Sequence, residues 1–353
     1  MTNADSPNSS DLPLPNLSCV FPGPFPVSPH TDHVEQCLRQ WLNEFPLIAS
    51  PDALRSLCSI TSHGVARALP DADSDSLVLC AELFAWLAAF DDVHGEATAA
   101  RDPAGLVDHV GELIGVLSDA EVAVGPFAAG LRDLVARLRD RATPAQYLRL
   151  TGHLRDNLTG IIWEAHHLSA PERVTVRSYC EMRPYTVFVR TIMAAAQIAL
   201  AYELSDEQQS SAPVRQLETS VANLAGWVND LASYTREAAR LRKNPLSLPT
   251  LLMTEHHLDL WEAFERAARM CEDQATIARA RIDELATDSP PALKRHAQAL
   301  ERIAHSFIWH VDHPRYDLAS TTQRHEPSPS SHDRKPHACK DPDPCSPHPT
   351  HPH

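Results

Sequence analysis

The chain has 353 residues, of which 43% are hydrophobic, enough to build the buried core of one large domain or two ordinary ones. Its formal net charge of −15 argues against a nucleic-acid partner, because binding to a phosphate backbone needs a concentrated positive surface. Only 11 glycines are present, and Ala, Leu, Arg and Glu dominate the middle of the chain, so an all-α protein is expected.

The two ends of the chain differ in composition from the middle. Residues 1–29 are rich in Pro, Ser and Asn, which predicts an extended arm, because proline blocks regular helix. Residues 318–353 are too polar and proline-rich to offset the entropy of ordering, which predicts a disordered tail. A single folded domain is therefore expected over residues 30–317.

The expected location follows from the absence of sorting signals. No N-terminal stretch joins a basic region to an apolar one, and no apolar run approaches the roughly 20 residues that span a bilayer. The eight cysteines lack paired metal-finger spacing, which is typical of free thiols in a reducing compartment. We therefore expect a cytoplasmic protein without a membrane span.

Along the middle of the chain, segments with helical periodicity alternate with short segments that contain Pro, Gly, Ser and Asp. No internal repeat is evident, which argues against a helical solenoid and favours one large domain. The predicted helices cover residues 31–46, 52–67, 75–95, 105–117, 126–140, 144–166, 173–202, 212–242, 256–285 and 290–311.

The third predicted helix ends in an acidic cluster. The segment LFAWLAAFDDVHGEATAA carries the carboxylates of Asp91, Asp92 and Glu96 after a long apolar stretch. Neighbouring carboxylates in such a position either face water or bind a cation. Phe84 and Ala88 share a face with Asp91, so they predict an apolar wall beneath an acidic mouth. The alternative is an exposed acidic helix end above ordinary core packing.

A second polar pattern lies in NLAGWVNDLASYTREAARLRKN, where Asn229, Ser233 and Glu237 recur every four residues. They offer an amide oxygen, a hydroxyl and a carboxylate, hard ligands that suit Mg²⁺ or Mn²⁺. The alternative is a solvated helix face, although Asn and Ser are indifferent helix formers. One turn earlier, Ala225 and Gly226 leave space either for a ligand or for close helix packing.

With these two clusters in this order, the chain resembles the class I terpene synthase family, particularly its bacterial single-domain cyclases. The acidic cluster is similar to the family's aspartate-rich motif, and NDLASYTRE is similar to its Asn/Ser/Glu motif. The resemblance implies an α-helical bundle around a central active-site cavity that binds Mg²⁺, as three ions, or alternatively Mn²⁺. The implied metal ligands are Asp91, Asp92, Glu96, Asn229, Ser233 and Glu237.

The segment RSYCEMRPYTVF strengthens the resemblance, because Arg183 stands where the family has its diphosphate-sensor arginine. Pro184 interrupts the helix there, as in the family, where backbone carbonyls near the break are implicated in triggering ionisation. By the same resemblance Thr186 is the linker and Val187 the effector. The family commonly has a smaller residue than valine at the effector position.

Near the C-terminus, Trp309 precedes Arg315 and Tyr316, which resembles the family's W…PRY segment, whose Arg and Tyr bind the diphosphate as the site closes. A guanidinium presents a planar fork to phosphate oxygens, so Arg183 and Arg315 suit such contacts, with surface salt-bridging as the alternative. Phe84 and Trp309 are candidates for aromatic faces that stabilise a carbocation, with core packing as the alternative.

The resemblance implies a carbon–oxygen lyase that ionises an isoprenyl diphosphate and cyclises the carbocation to a terpene hydrocarbon or alcohol. Farnesyl diphosphate is the expected substrate, which predicts a sesquiterpene, and geranylgeranyl diphosphate stays open. One alternative is a non-catalytic helical protein that binds isoprenoid diphosphates. The other is an isoprenyl diphosphate synthase, which would need two DDxxD-type motifs, whereas this chain has one acidic motif and an Asn/Ser/Glu motif instead. A homodimer also stays open.

Overall fold

The structure is a computed structural model, and it describes residues 12–95, 102–119, 124–168, 173–241, 243–287 and 289–310. Within these ranges the chain forms helices and connecting loops without a β-strand, which confirms the predicted all-α class. In chain order the helices are α1 (Thr31–Glu44), α2 (Pro51–Ala68), α3 (Ser74–His94), α4 (Pro103–Val116), α5 (Pro126–Arg141), α6 (Pro144–His167), α7 (Val176–Thr186), α8 (Val189–Ala199), α9 (Asp206–Ser210), α10 (Ala212–Leu241), α11 (Leu248–His256), α12 (Leu260–Ala286) and α13 (Pro291–His310).

The helices begin at capping residues that the sequence shows directly. Thr143 and Gln146 form a reciprocal capping box at the start of α6, each side chain accepting a hydrogen bond from the other's backbone N–H. Asp73 caps α3 by accepting from the N–H of Ser76 at 2.9 Å. For α2 to α6, the observed starts differ from the predicted ones by at most two residues.

Two helices, α3 and α10, carry much of the core. Helix α3 is buried on nearly every side, and Leu83, Trp86 and Phe90 pack against α1, α2, α5 and α8. The indole N–H of Trp86 donates to the carbonyl of Phe127 on α5 at 2.9 Å, so its one polar atom is satisfied. Helix α10 packs against α7, α8, α11, α12 and α13. Both helices are therefore held firmly enough to position the polar residues they carry.

The described part of the N-terminal arm has no helix, as predicted, but it packs onto the domain. Leu12, Leu17 and Phe21 are buried in the core cluster. The ring of Phe25 stacks on His305 of α13 with centroids 4.0 Å apart. The N–H of Ser28 donates to the carbonyl at the end of α2 at 2.9 Å. Residues 12–29 therefore contribute to the same core as the helices.

The prediction of one helix over 173–202 is wrong, because α7 and α8 are separate helices that meet at Val187 and Phe188. Pro184 lies in the last turn of α7 and lacks the N–H that would continue the ladder. Phe188 has a φ of 62°, in the left-handed region, so the right-handed helix cannot pass through it. Such a conformation costs a residue with a side chain about 1–2 kcal/mol.

The region around the predicted helix 256–285 also differs. Helix α11 occupies Leu248–His256 and ends where His257 takes a φ of 54°, and Asp259 then caps α12 through a capping box with Glu262. The short helix α9 had no predicted counterpart. Among the described residues, none of the helices is both long and apolar enough to span a bilayer.

Candidate active site

The bundle surrounds a cavity that opens to solvent. Helices α2, α3, α6, α7, α8, α10 and α13 and the break between α7 and α8 supply its walls. Much of the wall is apolar, so the cavity can hold a hydrocarbon. The apolar residues include Ile60, Val65, Phe84, Ala88, Ile192 and Phe307.

The predicted acidic cluster lies on the wall of this cavity. Asp91 and Asp92, near the end of α3, both line it. Phe84 and Ala88, on preceding turns, line it too, so the predicted apolar wall is present below the carboxylates. Glu96 lies outside the described residues. The helix ends at His94, and the N–H of the following Gly95 donates to the carbonyl of Asp91 at 2.9 Å.

Helix α10 brings the second predicted cluster to another wall of the cavity. Asn229 and Glu237 line the cavity, whereas Ser233 between them is buried and is not part of the described lining. Ala225 also lines the cavity. Gly226 has a different role, because a Cβ there would lie 2.7 Å from Cγ of Arg183. Its smallness therefore makes room for an arginine rather than for a ligand.

Arg183 is buried at the polar end of the cavity, where Asp230, Asn229, Thr186 and the carbonyl of Gly226 hold it. Its guanidinium forms an ion pair with Asp230 at 2.8 Å and donates to Oδ1 of Asn229 at 3.0 Å and to the hydroxyl of Thr186 at 2.9 Å. Its Nε–H is buried without a hydrogen-bond partner among the described residues. Burial alone would lower the pKa of Arg183, but the carboxylate of Asp230 and the other acids outweigh it, and Arg183 stays charged.

Asp230 is the counter-ion that sequence reasoning did not single out. One carboxylate oxygen pairs with Arg183, and the other accepts from the hydroxyl of Tyr179 at 2.8 Å and from the N–H of Leu248 at 3.0 Å. Burial raises the pKa of Asp230, and the pairing with Arg183 opposes that rise. Asp230 thus ties α10 to α7 and to the start of α11. In the sequence, the only indication of a role for Asp230 was its position next to Asn229 in the second motif.

Glu164 on α6 is a further acid that the sequence did not reveal, because it belongs to no motif. It lines the cavity, and burial raises its pKa to about 8. The charge of Arg183 lowers that pKa, whereas the carboxylates of Asp91, Asp230 and Glu237 raise it further. The cavity therefore holds more carboxyl groups than the two motifs alone provide.

The break between α7 and α8 faces the cavity. Thr186 and Val187, the predicted linker and effector positions, line it, and so does Phe188, which sequence reasoning missed. The hydroxyl of Thr186 accepts from Arg183 and donates to the Arg183 carbonyl at 3.3 Å, which joins the break to the guanidinium. The N–H of Val187 donates to the same carbonyl at 3.1 Å.

The C-terminal part of the predicted site is described only as far as the end of α13. Phe307 and His310 line the cavity, but Trp309 is absent from the described lining. Its ring lies 4.0 Å from the guanidinium carbon of Arg67, a cation–π contact outside the cavity wall. Arg315 and Tyr316 lie outside the described residues.

The donor set fits a hard divalent cation. The oxygens of Asp91, Asp92, Asn229 and Glu237 reach one cavity from two helices. Within the described ranges no three acidic, His or Cys side chains lie close enough together to hold an ion by themselves. This arrangement suits Mg²⁺, which is usually bound through one or two carboxylates together with water and substrate phosphates.

An apolar helical cavity with carboxylates and a buried arginine at one end defines an enzyme site for a ligand that joins a hydrocarbon to a metal-bound anion. Residues 82–276 match the family described as terpene synthase family 2, C-terminal metal binding. The chain belongs to the terpene synthase family and is therefore a lyase that acts on isoprenyl diphosphates with a divalent metal.

Individual relatives agree with this assignment. The chain is 58% identical to a (12E)-labda-8(17),12,14-triene synthase of Streptomyces cyslabdanicus, over 86% of this chain and 93% of that protein. It is 56% identical to a synthase of the same name from Streptomyces anulatus, over 86% of this chain and 95% of that protein. The solved structure of a linalool/nerolidol synthase from Streptomyces clavuligerus has the same fold, with a TM-score of 0.72, 21% identity and coverage of 82% and 99%.

Proposed function

We propose that the chain is a diterpene synthase that converts a bicyclic, twenty-carbon allylic diphosphate to a labdatriene. The expectation of farnesyl diphosphate and a sesquiterpene is not supported, since the relatives that share more than half of the residues are labdatriene synthases. Labdane is a twenty-carbon skeleton with two fused rings.

The positions of the double bonds in (12E)-labda-8(17),12,14-triene, the product for which the two relatives are named, indicate the substrate. A 12,14-diene arises when an allylic diphosphate loses its diphosphate from carbon 15, with the electron pair of that bond, and a proton from carbon 12. The two rings take no part in this step, so they are already present in the substrate. Copalyl diphosphate has this structure, and it is the substrate that we propose.

The observation that carries the proposal is the placement of Arg183 between the two acidic walls. Its charge is retained at the polar end of the cavity, where a guanidinium attracts the oxygens of a diphosphate. Mg²⁺, held by Asp91, Asp92, Asn229 and Glu237, would neutralise the diphosphate and make it a better leaving group. Ser233 and Glu96 are further proposed ligands, and Arg315 and Tyr316 are proposed diphosphate contacts.

The apolar wall then has two roles in the proposed reaction. Phe84, Ile192 and Phe307 exclude water, which would otherwise capture the cation as an alcohol. The faces of aromatic rings in that wall stabilise positive charge by about 0.5–2 kcal/mol each. The Val187 carbonyl, at the break, is the proposed effector group.

The test is to incubate the purified protein with Mg²⁺ and, separately, with geranyl, farnesyl, geranylgeranyl and copalyl diphosphate, and to identify products by gas chromatography–mass spectrometry. A labdatriene from copalyl diphosphate alone, abolished by EDTA, is the expected result. Efficient cyclisation of farnesyl diphosphate would contradict the proposed substrate. Binding of all four substrates without turnover would favour a non-catalytic binding protein.

A further inference from the structure

A buried hydrogen-bond bridge spans the break between α7 and α8. It comes from Asn157, whose side chain projects from α6 and is 1% exposed. The amide N–H donates to the carbonyl of Tyr185 at 2.6 Å, and the amide oxygen accepts from the hydroxyl of Thr191. Tyr185 precedes Phe188 by three residues and Thr191 follows it by three, so one side chain joins both sides of the break.

The bridge acts where the backbone is least able to hold its own shape. In a continuous helix the Tyr185 carbonyl would accept from the N–H of Val189, four residues on. Phe188, with its φ of 62°, turns the chain out of the helix before that point. A left-handed residue with a bulky side chain persists only when its surroundings fix it. Asn157 supplies such a contact on each side.

Helix α6 is also shaped to approach the break closely. Gly160 lies one turn beyond Asn157, and a Cβ there would stand 2.8 Å from the carbonyl oxygen of Tyr185 and 2.9 Å from its carbon. No side chain fits in that space without moving the backbone of the break. One further turn along, Glu164 lines the cavity. The same face of α6 therefore touches the break and continues into the site.

We propose that Asn157, with Thr191, is a positioning residue for the reaction, which fixes the peptide groups of Thr186, Val187 and Phe188 against the substrate. This inference rests on the proposed function. The three residues line the cavity, so their orientation determines where the cation lies relative to the walls and which hydrogen it loses. Without the bridge, the break relaxes and the cation is deprotonated at other positions or captured by water.

The decisive variant is Thr191→Val, which keeps the shape of the side chain and removes the hydroxyl from the bridge. We expect kcat on copalyl diphosphate to fall about 10- to 100-fold, with KM changed less than about twofold. We also expect a larger share of alcohols and isomeric trienes. Thr191→Ser restores the hydroxyl, so it should restore both the rate and the wild-type product pattern.

Thr151→Val is the matched control. Thr151 is also a buried threonine, but its hydroxyl donates only to carbonyls of its own helix, α6, at 3.0 and 3.2 Å. Its loss should leave the product pattern and kcat at wild-type values, even where it lowers the midpoint of urea unfolding. A general loss of buried hydroxyls would therefore affect both variants, whereas loss of the bridge affects Thr191→Val alone.

Gly160→Ala provides a second approach that leaves both bridging residues intact. The added Cβ pushes on the Tyr185 carbonyl, and we expect the same shift in products as with Thr191→Val. An active wild type whose kcat and products are matched by both Thr191→Val and Gly160→Ala would overturn the inference alone. A wild type that makes no terpene from any of the four diphosphates would overturn the proposed function and this inference with it.

Discussion

Arg183 keeps its charge in the interior because the carboxylate of Asp230 lies 2.8 Å from its guanidinium. Replacing Asp230 measures how much this ion pair contributes to the stability of the fold. Asp230→Asn preserves the shape but leaves a buried guanidinium without its counter-ion. We expect the free energy of unfolding to fall by about 3–5 kcal/mol. Urea denaturation at pH 7 without metal measures this change.

The control for this variant is Glu181→Gln. Glu181 pairs with Arg177 at 2.9 Å, but both side chains are mostly exposed, so the loss should be at most about 0.5 kcal/mol. Equal losses in the two variants would mean that Asp230 is not what stabilises Arg183 in the interior.

Glu164 predicts a dependence of stability on pH. Its folded pKa is about 8, above the unfolded value near 4.5, so the folded state binds a proton that the unfolded state has lost. Between these values stability falls as pH rises, and above about pH 8 the full cost of burying the charge is present. Glu164→Gln removes this contribution.

The prediction for Glu164→Gln is therefore a stability gain over wild type that grows from about pH 5 to pH 8. Urea unfolding at several pH values, with EDTA present, measures the difference between the two proteins. A difference that stays constant across this range would show that Glu164 does not titrate as proposed.

Single residues of the site were predictable where a motif contained them or where helical periodicity placed them on the same face as a motif, as for Phe84 and Ala88. Asp91 came from the acidic cluster of α3, Asn229 and Glu237 came from their spacing along α10, and all three line the cavity. Glu164 and Asn157 act through contacts with other helices, and periodicity within one helix carries no information about such contacts. Asp230 was present in the motif, but its pairing with Arg183 depends on how α7 packs on α10.

At the scale of whole elements, local chemistry predicted where helices begin better than where they break. The capping box of Thr143 and Gln146 is complete within one turn, so the sequence alone shows it. Pro184 indicated an interruption, but the left-handed Phe188 depends on support from α6, a helix that precedes it in the chain. Prediction from sequence was therefore reliable for local signals and unreliable where tertiary contacts decide.

The N-terminal arm yields a prediction at the same scale. Its described part buries Leu12, Leu17 and Phe21, and burial of each such side chain contributes about 1.5–3 kcal/mol. Deleting residues 1–29 should therefore lower the free energy of unfolding by at least about 3 kcal/mol. The control, deletion of residues 1–11, leaves all three side chains in place. Equal unfolding midpoints for the two deletions would contradict a structural role of the arm.

At the scale of the whole molecule, the cavity is formed by helices that lie far apart in the sequence. Composition and two motifs predicted the all-α class and the apolar cavity with an acidic end. They could not predict substrate length, because the depth of the cavity depends on side chains from seven helices packed together. For that reason the expectation of farnesyl diphosphate had no physical basis in the sequence, and the relatives do not support it.

The separation of the proposed metal ligands on two walls of the cavity predicts that metal and diphosphate bind together. Since no three acidic, His or Cys side chains in the described residues could hold an ion alone, Mg²⁺ by itself should bind weakly, and inorganic diphosphate supplies the missing ligands. We expect Mg²⁺ and diphosphate together to raise the melting temperature by more than the sum of their separate effects. A ligand present at about 100 times its Kd raises the free energy of unfolding by about 2.7 kcal/mol, which gives the scale of the expected effect.

The variant that tests this cooperation is Asn229→Ala, and its matched control is Asn223→Ala on the same helix. Asn229 lines the cavity, whereas Asn223 donates to Gln274 on α12 and is not part of the described lining. The joint effect of Mg²⁺ and diphosphate on the melting temperature should disappear in Asn229→Ala and persist in Asn223→Ala. If the joint effect persisted in both variants, the metal would bind elsewhere. Loss of a proposed ligand oxygen from this site should weaken the binding of an ion that joins the two walls.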